Sequence, residues 1–325
     1  MRCSTKEDSK NLLERVTRCG FVSVIGRPNA GKSTLLNALA GQNLSLVSNK
    51  ANATRKQLQV IIGHSIVEGS RAYDVQIVFV DTPGLHYQEK LLNKFMLNEA
   101  LRALNDCDLH LYLAAANDDI SHYEKFLRLL QEKQEERKKK IEHILVLSKC
   151  DILDRAQLLE QIGLYKKFVS HFLALIPLSV KKNFKPKILL DCIARFLPNG
   201  VFLYDEQMAT NAQTREIVKE LIRESLFENL SDEVPYESDV IIDSYTEGSV
   251  ERICARILTL KNSQKPLIIG SNGRTIKRIG ICARQKIENL LGKKVFLKLE
   301  VVVEKAWNKE ISKLKKMGYD FRSTL

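Results

Sequence analysis

A chain of 325 residues, 44% hydrophobic and 28% charged, has the balance of a soluble globular protein and room for two domains. It contains no apolar run long enough to cross a membrane, and its polar start (MRCSTKEDSKNLLERV) lacks the apolar core of a secretory leader, so a cytoplasmic location is expected. The net charge of +12 is unevenly placed: residues 261–325 hold 16 Lys and Arg against 5 Asp and Glu, whereas residues 1–260 hold 35 against 34. The last fifth is therefore a cationic module, the footprint of a partner such as nucleic acid or an anionic membrane surface.

In chain order, residues 20–25 (GFVSVI) form a short β-branched run that reads as a buried strand, and residues 31–40 (GKSTLLNALA) put Leu35, Leu36 and Leu39 on one helical face. Further apolar runs of strand length lie at 75–80, 109–115, 144–148 and 174–178. Amphipathic helical stretches at 89–104, 120–138, 154–172 and 186–197 separate them. Strands alternating with helices predict a mostly parallel sheet covered on both faces. The charged stretch QEKQEERKKK (131–140) reads as a solvated helix end. The seven cysteines form no C-x-x-C pair and read as reduced thiols.

Pro198-Asn199-Gly200 breaks the alternation and marks a domain boundary. Beyond it the order changes. A helix is expected over 211–230, a hairpin of strands at 236–245 and 250–260, a helix over 274–291, a strand at 295–303 and a terminal helix at 308–316. This is a small α+β unit. The expected division is an N-terminal extension (1–18), an α/β P-loop domain (19–198), an interdomain segment (199–215) and the α+β domain (216–325).

Two glycine loops carry the chemistry. The first, Gly26-Arg27-Pro28-Asn29-Ala30-Gly31-Lys32-Ser33, matches G-x-x-x-x-G-K-[ST] and lies where the mechanism needs it, after a strand and opening a helix. Its backbone N–H groups would wrap phosphates at the positive helix end. Lys32 would reach the β/γ oxygens and Ser33 would hold Mg²⁺, with Gly31 and Thr34 completing the loop. Asp81-Thr82-Pro83-Gly84 ends the next strand: Asp81 is placed to hold Mg²⁺ and the Gly84 N–H to meet a γ-phosphate. Ser148-Lys149-Cys150-Asp151 and Ser179-Val180-Lys181 end two later strands. All four motifs thus fall at the edge where open α/β sheets bind ligands.

In this order they resemble the translation-factor-related GTPases, where the third motif is usually N-K-x-D. The resemblance implies that Asp151 accepts from guanine N1 and N2, that the Lys149 stem covers the ring, and that the Ser179-Val180-Lys181 turn completes the base site. Ser148 stands for the usual asparagine and can make only part of its hydrogen bonds. Leu85 follows Gly84 where Ras-like proteins carry a water-orienting glutamine, so slow intrinsic hydrolysis is expected. Asn29 resembles the asparagine with which some leucine-bearing GTPases hold K⁺; a turn residue is the competing reading. Within SNKANATRKQ (48–57), Thr54 is the candidate switch threonine that senses Mg²⁺ and the γ-phosphate, and Ala53 replaces the first threonine of the usual pair.

The second loop, Gly270-Ser271-Asn272-Gly273, has G-x-x-G spacing between an apolar and a basic run. Loops of this kind clamp the backbone of unpaired nucleotides in KH modules. Arg274, Lys277 and Arg278 would supply charge, and Ile268, Ile269, Ile276 and Ile279 an apolar floor; the tip, Ser271 and Asn272, is uncharged. A helix corner with core isoleucines is the alternative.

CGFVSVIGRPNAGKSTLLNALAGQ, SNKANATR, DTPGLH, PLIIGSNGRTIKRIGICAR, LLGKKVFLKLEVVVEKAW and LKKMGYD together resemble the Era family of bacterial ribosome-assembly GTPases, from about residue 19 to 321. The resemblance implies a GTPase domain followed by a type II KH domain, GTP/GDP and Mg²⁺ as ligands, and binding of the single-stranded 3′ end of small-subunit ribosomal RNA during subunit assembly. It also implies a monomer in the cytoplasm, with peripheral contact to the inner membrane. Two other classes compete: a membrane-associated signalling GTPase with a lipid-facing basic domain, and an RNA-binding assembly protein with negligible hydrolysis.

Overall fold

The computed structural model describes residues 14–41, 44, 58–83, 100–137, 141–205, 208–231, 233–317 and 319. The expected switch segment 48–57 with Thr54, the stretch from Gly84 through Leu85, and the start of the helix expected at 89–104 lie outside these residues.

The first domain is built on six strands: β1 (Glu14–Gly26), β2 (Leu58–Glu68), β3 (Arg71–Asp81), β4 (Leu109–Ala115), β5 (His143–Ser148) and β6 (Leu175–Pro177). Their spatial order is β2-β3-β1-β4-β5-β6, with every pair parallel except β2–β3. β4 and β5 are buried at every position, as expected of strands covered on both faces. Helices α1 (Lys32–Ala40), α2 (Ser121–Arg137), α3 (Arg155–Leu164) and α4 (Pro186–Phe196) supply that cover, and residues 100–106 are also helical. Leu35 and Leu36 of α1 and Leu189 and Ile193 of α4 pack on one face with Val24, Phe79 and Leu111. Tyr123 and Phe126 of α2 pack on the other with Tyr112, Leu145 and Leu147.

The chain runs β1 then β3 on one side and β4 on the other, so the strand order reverses at β1. A crevice opens at such a point, and the first glycine loop follows β1 into it. β2 was not expected from the sequence. Its run LQVIIGHSIVE is interrupted by Gly63-His64-Ser65, which hides the apolar pattern, yet it pairs over its whole length with β3 from Leu58↔Asp81 to Glu68↔Arg71. β1 begins at Glu14, earlier than the apolar run suggested, because Glu14–Arg18 already pair with β3.

His143 on β5 is 1% exposed, with its Nε2 2.7 Å from the Tyr123 hydroxyl. Burial, helped by nearby His171, lowers its pKa from 6.5 to about 4. The unfolded chain therefore binds the extra proton first as pH falls. The stability that neutral His143 provides is present above pH 6.5 and is lost between about pH 6.5 and 4. It should amount to about 3 kcal/mol. His143→Asn, which keeps a hydrogen-bonding group beside Tyr123, is expected to flatten this part of a melting-temperature profile relative to the parent.

The second domain runs α5 (Thr214–Asn229), β7 (Ser238–Thr246), β8 (Val250–Thr259), α6 (Gln264–Ile269), α7 (Arg274–Leu291), β9 (Lys294–Val303) and α8 (Ile311–Lys316). β7 and β8 form the expected antiparallel hairpin, and β9 adds parallel to β8. One face of this sheet (Val240, Ile253, Ala255, Ile257, Val295, Val301) buries Ile217, Val218 and Leu221 of α5 and Ile279, Ala283 and Ile287 of α7. On the opposite face, Trp307, Leu314, Met317 and Tyr319 cover Leu258.

The connection between the domains is stitched to the first sheet. Cys19 N–H donates to Pro198 O (3.2 Å) and Gly200 N–H to Thr17 O (3.1 Å). The Gln76 amide of β3 grips backbone groups of Leu203 and Tyr204. Gln59 of β2 accepts from the Tyr204 hydroxyl (2.8 Å), the Asn211 amide (2.6 Å) and, at its backbone carbonyl, the Thr210 hydroxyl (2.6 Å). Ile61 N–H donates to Ala209 O (2.9 Å), so the connection serves as a short extra edge beside β2.

Candidate nucleotide site and nucleic-acid groove

The first glycine loop turns from β1 into α1. Its entry needs glycine for close approach: a Cβ at Gly26 would stand 2.4 Å from the Leu113 carbonyl of β4. Lys32 is buried, donating from Nζ to the carbonyls of Gly26 (3.1 Å) and Arg27 (2.9 Å). Burial pushes its pKa down to about 8, opposed by the charge of Asp81. An anionic ligand laid along the loop would add to the charge of Asp81 beside this ammonium. Ser33 Oγ donates to Asp81 Oδ2 at 3.0 Å, so the two predicted Mg²⁺ residues meet across 48 positions of sequence. Thr82 Oγ1 donates to Val24 O (2.7 Å), which ties the end of β3 to β1.

Gly31 has φ 94° and caps the start of α1, and Thr34 lies half-buried on its first turn. Asn29 is exposed in the left-handed region, with φ 63°. An ion pair that the sequence did not reveal braces the loop: Arg27 Nη1 lies 3.0 Å from Asp118 Oδ1, while Asp118 Oδ2 accepts from Ala115 N–H.

The loops that follow β5 and β6 are equally pre-formed. Ser179 Oγ donates to Asp151 Oδ1 (2.6 Å) and accepts from Lys182 N–H (3.1 Å). That hydroxyl, foremost, and the charges of Lys181 and Lys182 hold the Asp151 carboxyl below the usual carboxylate range. Lys149 takes φ 57°, turning the chain so that Cys150 N–H reaches Leu178 O (3.2 Å) and the loops that follow β5 and β6 are joined. Val180 is half-buried and Lys181 exposed beside them. Ser148 is buried, and its hydroxyl donates to Ala30 O (2.6 Å) with Ala114 O at 3.2 Å. One hydroxyl proton cannot serve two carbonyls fully, whereas an asparagine amide brings two. Ser148 therefore keeps the tie between this strand and the phosphate loop and gives up the rest.

In the second domain the G-x-x-G loop joins two helices, α6 and α7. α6 was not visible in the apolar periodicity, because its six residues QKPLII are too few to show a helical period; only the KH resemblance implied a helix there. A Cβ on Gly270 would lie 2.2 Å from Thr275 Oγ1 and 2.9 Å from its backbone nitrogen, so this position admits only glycine. Ser271 and Asn272 stand exposed at the tip, Asn272 with φ 51°. Arg274 and Lys277 are exposed on the first turn of α7, whereas Arg278 donates to Asn229 O (3.1 Å) at the end of α5.

The floor differs from the sequence expectation. Ile268 and Ile279 are fully buried in the core and unavailable to a ligand, because the faces they occupy pack on the sheet; Ile269 is half-buried against the same core. The groove of about 400 Å³ lies instead between α7 and β9, lined by Ile276, Lys277, Ile281, Arg284, Val295, Phe296, Leu297 and Leu299. The alternation of VFLKLEV over 295–301 was its one visible signal.

Residues 21–149 match the model of the 50S ribosome-binding GTPase family, and residues 221–308 match the KH domain model. The chain is 48% identical over 304 residues to the GTPase Era of Helicobacter pylori strain P12, covering 93% of this chain and 97% of that protein. The chain belongs to the Era family of GTPases. The GTPase Era of Campylobacter concisus is 46% identical, over 93% of this chain and all of that one. The crystal structure of an Aquifex aeolicus Era point variant bound to GDP·AlF4⁻ superposes with a TM-score of 0.84 at 29% identity, covering 94% of this chain and 100% of that one. A second Era structure, in complex with MgGDPNP and nucleotides 1506–1542 of 16S ribosomal RNA, superposes with a TM-score of 0.83 at the same identity and coverage. As a member of the Era family this chain is a GTPase, with a mostly parallel P-loop domain followed by a KH domain.

Proposed function

We propose that this Era-family GTPase binds the single-stranded 3′ end of small-subunit ribosomal RNA in its KH groove and assists small-subunit assembly in the cytoplasm, with bound nucleotide setting RNA affinity. The observation that carries the reading is the glycine-only loop at Gly270 leading into α7, whose first turns line a groove with an apolar floor and the cations Lys277 and Arg284. Nucleotide backbones need close approach and charge, and unpaired bases need an apolar bed. The Era relative solved with nucleotides 1506–1542 of 16S ribosomal RNA supports the same partner. Among the described residues no helix is long and apolar enough to cross a membrane. Titrating a labelled 3′-terminal RNA against a scrambled one tests the assignment: preference for the native sequence is expected, and equal binding of both would overturn it.

In the GTPase domain, Lys32 would neutralise the β/γ oxygens, and Asp151, pre-set by Ser179, would read guanine. The oxygens of Ser33 and Asp81 suit Mg²⁺, a hard cation that takes oxygen ligands, with Thr54 as a further candidate. Bound there, Mg²⁺ supplies charge neutralisation at the phosphates. Leu85 cannot orient water, so intrinsic hydrolysis is slow and Asn29 would recruit K⁺ beside the phosphates. Hydrolysis should then be several-fold faster in K⁺ than in Na⁺ buffer, and Asn29→Ala should erase the difference. Equal rates in the two buffers would remove K⁺ from the account.

The route between the domains runs through β2 and β3. Leu58 lies opposite Asp81 in register, and the next residue, Gln59, holds Tyr204, Thr210 and Asn211. A displacement at the γ-phosphate edge would thus reach the interdomain connection within one residue. Replacing Gln59 and Gln76 by alanine is expected to shrink the difference in RNA affinity between nucleotide states while leaving GTP affinity unchanged. An unchanged difference would place the coupling elsewhere.

A further inference from the structure

We propose that Phe296, with Arg252, Lys294 and Lys298, forms a stacking site for an unpaired RNA base beyond those held in the KH groove. The inference rests on the reading of that groove as an RNA site. β9 is the edge strand of its sheet, and its side chains alternate between two surfaces. Val295, Leu297 and Leu299 face α7 and line the groove, whereas Lys294, Phe296 and Lys298 are exposed on the other side. Phe296 is 51% exposed and also borders the groove, so its ring lies where the groove meets the open face of the sheet.

That open face carries an exposed ring and an excess of cations, its acid on β9 being Glu300, which lies opposite Arg256. Arg252 pairs with Phe296 across the strands, and its guanidinium carbon stands 5.7 Å from the ring centroid. Other nearby cations are engaged, Arg256 with Asp243 and Lys293 with Glu251. Arg252, Lys294 and Lys298 form no ion pair among the described residues. Among the described residues, Trp307, Leu314 and Met317 cover this face around Leu258, with Ile241, Leu260 and Val302, and Leu258 pairs with Val302 at the end of the strands away from Phe296. An exposed ring ringed by unpaired cations is the construction that holds single strands: the base stacks on the ring and the flanking phosphates meet the charges. Continuity with the groove and the sign of the charge select RNA as the occupant. A strand that leaves the groove over the edge of β9 meets Phe296 first.

The experiment compares unstructured RNA oligonucleotides of about four nucleotides, the length a KH groove clamps, with ones of about eight, on the full-length protein by fluorescence anisotropy. The wild type should gain affinity with length. Phe296→Ala should lose about tenfold more affinity for the long RNA than for the short one. Phe296→Trp should keep the gain, and its emission should be quenched by the long RNA only, measured against the single native tryptophan, Trp307. Phe296→Ala behaving as wild type at both lengths would overturn the stacking site and leave the groove standing. So would an equal loss at both lengths, which would assign Phe296 to the groove itself. Failure of the wild type to bind either RNA would overturn the RNA reading and the stacking site together.

Discussion

Asp151→Ala is expected to lower GTP affinity by about two to four orders of magnitude and to leave ATP affinity unchanged. The carboxylate is held in place: Ser179 Oγ donates to one of its oxygens at 2.6 Å, and Ser179 is itself held by Lys182 N–H. Guanine N1–H and N2–H would each donate to it, and a hydrogen bond to a charged group contributes about 1.5–3 kcal/mol. Adenine offers a different pattern at those positions and so loses nothing when the carboxylate goes. Competition of both nucleotides against a fluorescent GDP analogue reads the result. Equal losses for GTP and ATP would mean that Asp151 supports the loop without reading the base.

Gly273→Asp weakens RNA binding on the order of a hundredfold, because placing a like charge at a phosphate contact costs about 3 kcal/mol. Position 273 is the clean place to test the loop. A side chain there meets nothing within 4 Å, and its φ of 73° is one that aspartate tolerates better than most residues. At Gly270, by contrast, any Cβ collides with Thr275, so loss of binding there would be inseparable from loss of the loop. GTP affinity should not change in Gly273→Asp. Wild-type RNA affinity in this variant, with the RNA still bound, would remove the loop from the interface.

Both glycine loops were legible in the sequence for one reason. Each needs a backbone that only certain residues tolerate, and that need is written locally, as at Gly26 and Gly270. The helix–strand alternation of the first domain was legible because β4 and β5 are covered on both faces and so are apolar throughout. What stayed hidden depends on partners far along the chain. Ser148 finds Ala30 across 118 positions, and Gln76 finds Tyr204 across 128. β2 is held as a strand by its register with β3, against a sequence broken by Gly63-His64-Ser65. Isoleucine spacing around the second loop showed an apolar face but not what it faces: Ile268 and Ile279 turn inward, Ile276 and Ile281 toward the groove.

The nucleotide held at the first loop is proposed to govern the RNA held at the second. Equilibrium titration of a labelled 3′-terminal small-subunit ribosomal RNA, with the protein saturated by a non-hydrolysable GTP analogue or by GDP, tests this most directly. Severalfold tighter binding is expected in the GTP-analogue state, in the range typical of coupled sites. Identical affinity in the two states would contradict it.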